Sequence, residues 1–376
     1  MQTTTTTLRV SEPREILALV PHRLGFRPRD SAVAVSLRPP RGEVGLVVRV
    51  DLPHLADEVD GPLLARTLVA HLGRDGARRG ILVLYTDHDP RDEEGGAQLA
   101  AQHVREAADD ALGEVQVWVV TATGYLSLDC VEDCCPPGGR PLRDLDSTQV
   151  GATLVLAGSA VADSREDIAR IRPESGDVRR SAARVRRRWQ LRWEEAQVAG
   201  ADAVVRWRED SLAAWRDAVA IVEAGPPGPG GTPWGRIEAG LADRAVRDGV
   251  LVALVPGTAD LPERCVRTVP STPELDAAMC AAMALILDPS RGVVPPVRAS
   301  AVHEAVLEAV VARGRAGAQA PALTLLALLS WWRGDGARAR LLLDAALDAD
   351  PEHHLAELLD DALTAAVPPG WVRHTD

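Results

Sequence analysis

The chain has no lysine and no asparagine, and only one phenylalanine and two tyrosines in 376 residues. All 42 basic residues are therefore arginine. The pattern fits the codon bias of a GC-rich genome, yet each absence also excludes chemistry. Without lysine there is no Walker-type phosphate loop and no Schiff-base nucleophile. Without asparagine there is no Cys-His-Asn site and no N-glycosylation acceptor. A G-x-S-x-G nucleophile elbow is missing too. No apolar run approaches the ~20 residues of a membrane span. Residues 1–7 are threonine-rich and lack the basic start and apolar centre of a signal peptide. The expected compartment is the cytoplasm, which an odd count of five cysteines also fits. A formal net charge of −12 argues against nucleic acid or a membrane surface as partner.

What is present is organised around residues 11–51. Ser11 is the expected N-cap of a short helix, with Pro13 in its first turn and Pro21 as its stop. A corner containing Gly25, Phe26 and Pro28 follows. Two β-rich runs, at residues 32–37 and 44–50, are joined by a Pro/Gly turn and read as a hairpin. Phe26, the only phenylalanine, is expected to be buried under this corner. Further along, residues 61–72 carry leucines at helical spacing, and residues 81–85 form a continuous apolar run of strand length. Helical and strand patterns then alternate at residues 95–112, 115–120 and 125–128. Ser147 and Ser164 are the expected caps of two further short helices. The order is that of a mixed-sheet α/β domain with a parallel crossover between its later strands.

The helix followed by P-x-x-L-G-F-x-P-x-D-S and an apolar strand resembles an actinobacterial family, domain of unknown function 4192. Pro21, Leu24, Gly25, Phe26, Pro28, Asp30 and Ser31 carry the resemblance. Tyr85-Thr86-Asp87, the cysteine cluster from Cys130 to Pro136, and Gly334-Asp335 with Asp350-Pro351 are similar to that family as well. The resemblance implies the domain layout and no activity.

Past Gly176 the composition changes. Residues 176–224 are rich in arginine and tryptophan. At about 100° per residue Trp193, Trp207 and Trp215 fall within about 80° of Trp189, on one face if Gly200 does not break the phase. The arginine cluster from Arg179 to Arg192 is expected to be a solvated face with internal ion pairs. GPPGPGG at residues 225–231 is the clearest linker. The remainder reads as helices only, including one at residues 237–254. Residues 320–351 resemble a single tetratricopeptide repeat, which must stack on its neighbours to be stable. The expected fold class is thus α/β. It comprises a mixed-sheet domain at residues 8–175, a Trp-rich helical connector at 176–224 and an all-α, repeat-like domain at 232–376.

Two clusters could carry chemistry. Asp87, His88 and Asp89 follow the strand at residues 81–85, and ligands of open α/β sheets sit beyond the carboxyl ends of parallel strands. Two carboxylates and an imidazole there suit a divalent metal or acid–base work, but Asp and His before Pro90 are also ordinary turn residues, and the turn is the expected reading. Cys130, Cys134 and Cys135 offer three thiols in six residues. These suit zinc, a redox pair or plain structural thiols. Adjacent residues of an extended chain point to opposite faces, so at least one of the three is expected to point away. No cofactor is expected beyond that zinc alternative. The function expected first is non-enzymatic protein interaction or regulation, with a protein as partner. The alternative is a metal-assisted hydrolase at the end of the 81–85 strand.

Overall fold

In the computed structural model, which describes residues 12–372 other than 93, 94, 110, 114, 137, 157, 158, 229, 231, 269 and 366, helix α1 is Pro13–Leu24. Pro13 stands in the first turn, where a helix has no use for the N–H that proline lacks. Ser11, the expected N-cap, lies outside the described residues. Pro21 does not stop the helix. It sits inside α1, which runs on to Gly25, whose φ of 79° supplies the left-handed cap that a Cβ disfavours.

The hairpin then forms as β1 (Ser31–Arg38) and β2 (Glu43–Asp51). It is followed by α2 (Leu52–Leu55), α3 (Gly61–Arg74), β3 (Arg79–Tyr85), α4 (Gly96–Ala108), β4 (Val115–Val120) and β5 (Gly124–Ser127). The expected loop at residues 129–146 contains a two-residue strand β6 (Arg140–Pro141) and a one-turn helix α5 (Arg143–Asp146), both too short to show a period. Thr148 rather than Ser147 caps α6 (Gln149–Leu156), its Oγ1 accepting the Gly151 N–H at 3.2 Å. The helix expected from Ser164 is a single 3-10 turn, Glu166–Ala169.

The sheet is mixed and six-stranded, in the order β2-β1-β3-β4-β5-β6. Only β3 and β4 are parallel; the other neighbours are antiparallel. Strand side chains alternate between faces. One face, with Ala32, Ala34, Leu82, Leu84, Val117 and Val119, is covered by Leu68 and Leu72 of α3 and by Ala100, Ala101 and Val104 of α4. The opposite face carries Val33, Val35, Ile81, Val83 and Tyr85, all buried. Two-sided burial explains why β1 and β3 read as continuous apolar runs. Registration of Ser31 opposite Tyr85, and of Tyr85 beside Val120, decides what meets at one sheet edge. The corner after α1, the carboxyl ends of β3 and β4, and the β4–β5 turn all gather there.

The chain divides into two compact units between Ile168 and Ala169. The stretch expected as a connector lies within the second unit, where its tryptophans share a core with the C-terminal helices. It is not one striped helix either. Gly200, at φ 102°, separates α7 (Gly176–Ala199) from α8 (Ala201–Ala224). The two helices pack together, and the rings meet across the pair. Trp207 stacks on Trp189 at 6.0 Å and meets Trp193 at 4.6 Å between centroids. Its indole N–H donates to the Trp189 carbonyl at 3.0 Å. Of the arginine cluster, Arg186 pairs with Glu238 at 2.9 Å, and Arg192 lies over the Trp189 ring.

The remaining helices are α9 (Trp234–Gly240), α10 (Arg244–Ala253), α11 (Leu261–Arg267), α12 (Pro273–Leu287), α13 (Val297–Arg313), α14 (Ala320–Trp332), α15 (Gly336–Ala349) and α16 (His354–Thr364). The single helix expected at residues 237–254 is split because Asp243 caps a new start, accepting the Val246 N–H at 3.1 Å. Among the described residues no strand follows residue 232, and the apolar run at residues 250–255, which has strand length, begins inside α10. α14 is apolar all round and accordingly buried almost throughout. Ala339 and Ala346 are fully buried on α15, which packs against it. No helix among the described residues is long and apolar enough to cross a membrane.

Candidate functional site

At the sheet edge where the corner meets β3 and β4 there is a cavity of about 1090 Å³. Its wall on the α1 side includes Leu17, Pro21 and His22. Pro21 has no N–H to give the Leu17 carbonyl, so this stretch of wall carries a loosened helical turn. Glu15, two residues before Leu17 and buried, accepts the Val150 N–H at 3.0 Å and so fixes α6 to α1 by capping its N-terminus. The opposite wall is the strand ends, with Tyr85, Thr86, Asp87 and Val120 to Ala122. Arg27, Arg29 and Asp30 of the corner and Asp146 of α5 also line the cavity and are exposed.

The corner is held by its backbone. Ala162 N–H donates to the Gly25 carbonyl at 2.8 Å, and Arg27 N–H donates to the Ala162 carbonyl at 2.9 Å. The Ser31 hydroxyl donates to the Arg29 carbonyl and accepts from Arg49 Nε at 2.9 Å. Asp30, at φ 42°, is one of two non-glycine residues with positive φ among the described residues. Phe26 is 2% exposed, as expected of it, while its neighbours Arg27 and Arg29 face the cavity.

Tyr85 is the most informative group in this wall. It is buried, and its hydroxyl has no hydrogen-bond partner. Burial pushes its pKa up, so the phenol stays protonated and remains a donor. His22 Nδ1 lies 2.9 Å from the Ser159 hydroxyl. Burial first, and the nearby Arg27 guanidinium second, hold the His22 pKa below the usual imidazole value, which keeps the ring neutral at pH 7. The site thus offers neutral donors inside and charges of both signs around them.

Of the residues singled out beyond the 81–85 strand, Asp87 lines the cavity, and its Oδ1 accepts the Ala122 N–H at 3.0 Å, tying β3 to the β4–β5 turn. His88 and Asp89 are exposed and are not in the cavity wall. Asp89 Oδ1 accepts the Arg91 N–H at 3.0 Å. His22, Arg27, Arg29 and Asp146 were not singled out as site residues, and Tyr85 was noted only within the Tyr85-Thr86-Asp87 stretch that resembles the family. The Pro21-to-Ser31 motif was the available signal, since it spans three of them.

The cysteines differ from expectation. The ligand atoms of Cys130, Cys134 and Cys135 all lie within 4.8 Å of one another, and the Cys130 and Cys134 sulfurs are 3.4 Å apart. Alternation applies to extended chain, whereas here Cys135 N–H donates to the Glu132 carbonyl at 2.9 Å and closes a turn. The three thiols converge because the backbone bends through Cys134. Such a set can hold a metal ion, with zinc compatible.

No curated protein matches the chain, and no solved structure matches it. A family model described as Domain of unknown function (DUF4192) matches residues 13–370. That span takes in the corner motif, the cavity, the cysteine turn and the helical unit up to Gly370, and the chain belongs to that family.

Proposed function

We propose that the α/β unit binds a small polar molecule in the cavity at the carboxyl ends of β3 and β4. Tyr85 donates to an acceptor on the ligand, and Arg27 and Arg29 meet its anionic groups. The observation that carries this is the Tyr85 hydroxyl, buried without a partner in the wall of a cavity of about 1090 Å³. An unsatisfied buried hydroxyl costs about 1–3 kcal/mol, and a ligand acceptor removes that cost. Binding is favoured over metal-assisted hydrolysis because His88 and Asp89 stand outside the cavity wall. The cytoplasm is the proposed setting, supported by the odd number of cysteines. A thermal-shift screen of phosphate monoesters, carboxylic acids, amino acids and nucleosides is expected to raise the melting temperature with at least one class. Tyr85→Phe, which keeps the ring and removes only the hydroxyl, is expected to weaken that ligand about tenfold. Equal affinity in the variant, or no stabilising compound in any class, would sink the proposal.

Protein docking by the helical unit is a second function, favoured by Leu287, Val294 and Val297, which expose 47%, 64% and 78% of their surface around one proline-rich turn. A photo-crosslinker placed at residue 294 is expected to trap a protein in cells. Yields no higher than from a control at Val198, which is also exposed, would remove this function.

A further inference from the structure

The cysteine turn lies outside the cavity wall, and it is built with more care than a surface loop needs. Each cysteine carbonyl is held by a guanidinium. Arg91 Nη2 donates to the Cys135 carbonyl at 2.8 Å and to the Cys130 carbonyl at 3.4 Å. Arg140 Nε donates to the Cys134 carbonyl at 2.6 Å. Arg91 comes from the loop after β3 and Arg140 from β6, so the turn is braced from two strand ends. Cys135 is buried in the core shared with α3 and α4, Cys130 is half-buried against it, and Cys134 is exposed. The sulfur set therefore has a rigid inner end and a solvent-facing outer end.

The geometry points to a thiophilic metal site made by the sulfurs of Cys130, Cys134 and Cys135, with Zn²⁺ as the ion and water as its fourth ligand on the Cys134 side. Three observations support it. At Zn–S of about 2.3 Å, tetrahedral coordination places sulfurs about 3.8 Å apart, and the three here span 3.4 Å to within 4.8 Å before any ion draws them in. Thiolates select soft or borderline cations over magnesium or calcium. The two arginines bring positive charge to a site where three thiolates would otherwise outweigh a divalent ion. Among the described residues no histidine or carboxylate joins this group, which leaves the fourth position to water, as in zinc sites that keep one place open. Each thiol that binds as thiolate gives its proton to solvent, so loading releases up to three protons per ion.

The test is a cobalt titration of the full chain, purified under reducing conditions and stripped with a chelator. One Co²⁺ per chain is expected, with thiolate-to-cobalt charge transfer in the near ultraviolet, proton release on loading, and displacement by Zn²⁺. Cys134→Ser changes an exposed side chain and leaves the fold intact by circular dichroism. It is expected to weaken cobalt binding by about 100-fold or more, since even outer-shell changes cost 10–100-fold. Cys280→Ser, equally exposed and remote in sequence, is the control and should change nothing. The site is overturned if no charge-transfer band appears or if the band survives Cys134→Ser.

Discussion

Phe26→Ala is expected to destabilise the α/β unit by about 3–5 kcal/mol, the usual cost of emptying a well-filled aromatic site. The ring is 2% exposed and lies between Gly25 and Arg27, whose backbones are both paired with Ala162. Those pairs prevent the corner from collapsing into the space the ring leaves. The corner also carries Arg27, Arg29 and Asp30 to the cavity, so ligand affinity should fall together with stability. Hydrogen exchange of the β1 and β3 amides measures the loss directly. Protection equal to that of the parent chain would mean that the ring fills no space the fold depends on.

Asp75→Ala should cost about 2–4 kcal/mol, because it strips one acceptor from several donors at once. Asp75 follows α3 and reaches across to the hairpin. Its Oδ2 accepts the Leu46 N–H at 2.8 Å and Arg38 Nε at 2.9 Å, and the carboxylate also bonds the Ser36 hydroxyl and Arg38 Nη2. Gly45 leaves the necessary room, since a Cβ there would collide with the carboxylate, Ser36 and Arg38. Arg38 keeps partial exposure, which holds the cost below that of a fully buried pair. Burial alone would raise the Asp75 carboxyl, but the donors from Arg38, Ser36 and Leu46 outweigh it and hold the pKa below the ordinary carboxylate value. The contribution is therefore complete above the unfolded value of about 3.9 and fades as pH falls through the lower folded value. Urea unfolding of the parent and of Asp75→Ala should differ widely at pH 7 and converge toward pH 2. A gap that does not change with pH would show that the carboxylate charge contributes nothing.

The strands of the first unit were legible because two-sided burial leaves an unmistakable mark. The runs around Val33 and Leu82 have no polar face to alternate with. Their register was not legible, since Ser31 and Tyr85 are far apart in sequence and no local pattern pairs them. The cavity exists only through that register, so Arg27, Asp87 and Asp146 gave no sign of being neighbours. The cysteines were misjudged for a different reason. The rule of opposite faces presumes an extended chain, and the hydrogen bond from Cys135 to Glu132 makes that presumption false. With the tryptophans the spacing was right and the object was wrong. The phase calculated for one helix holds within α7 and within α8, and Gly200 turns the stripe into two facing stripes.

The uneven placement of tryptophan has an optical consequence. Trp118 on β4 is the only indole before Ala169, and the other eight of the nine belong to the helical unit. Trp189, Trp193 and Trp207 are close enough there to couple as chromophores. Emission excited in the indole band therefore reports almost entirely on the helical unit, and a melt followed that way can pass over the loss of the α/β unit unseen. Trp118→Phe would leave the α/β unit dark in the indole band, with its centroid neighbour Tyr125 at 6.4 Å keeping an aromatic partner. In such a chain the indole emission belongs to the helical unit alone, and the two transitions can be separated without cutting the polypeptide.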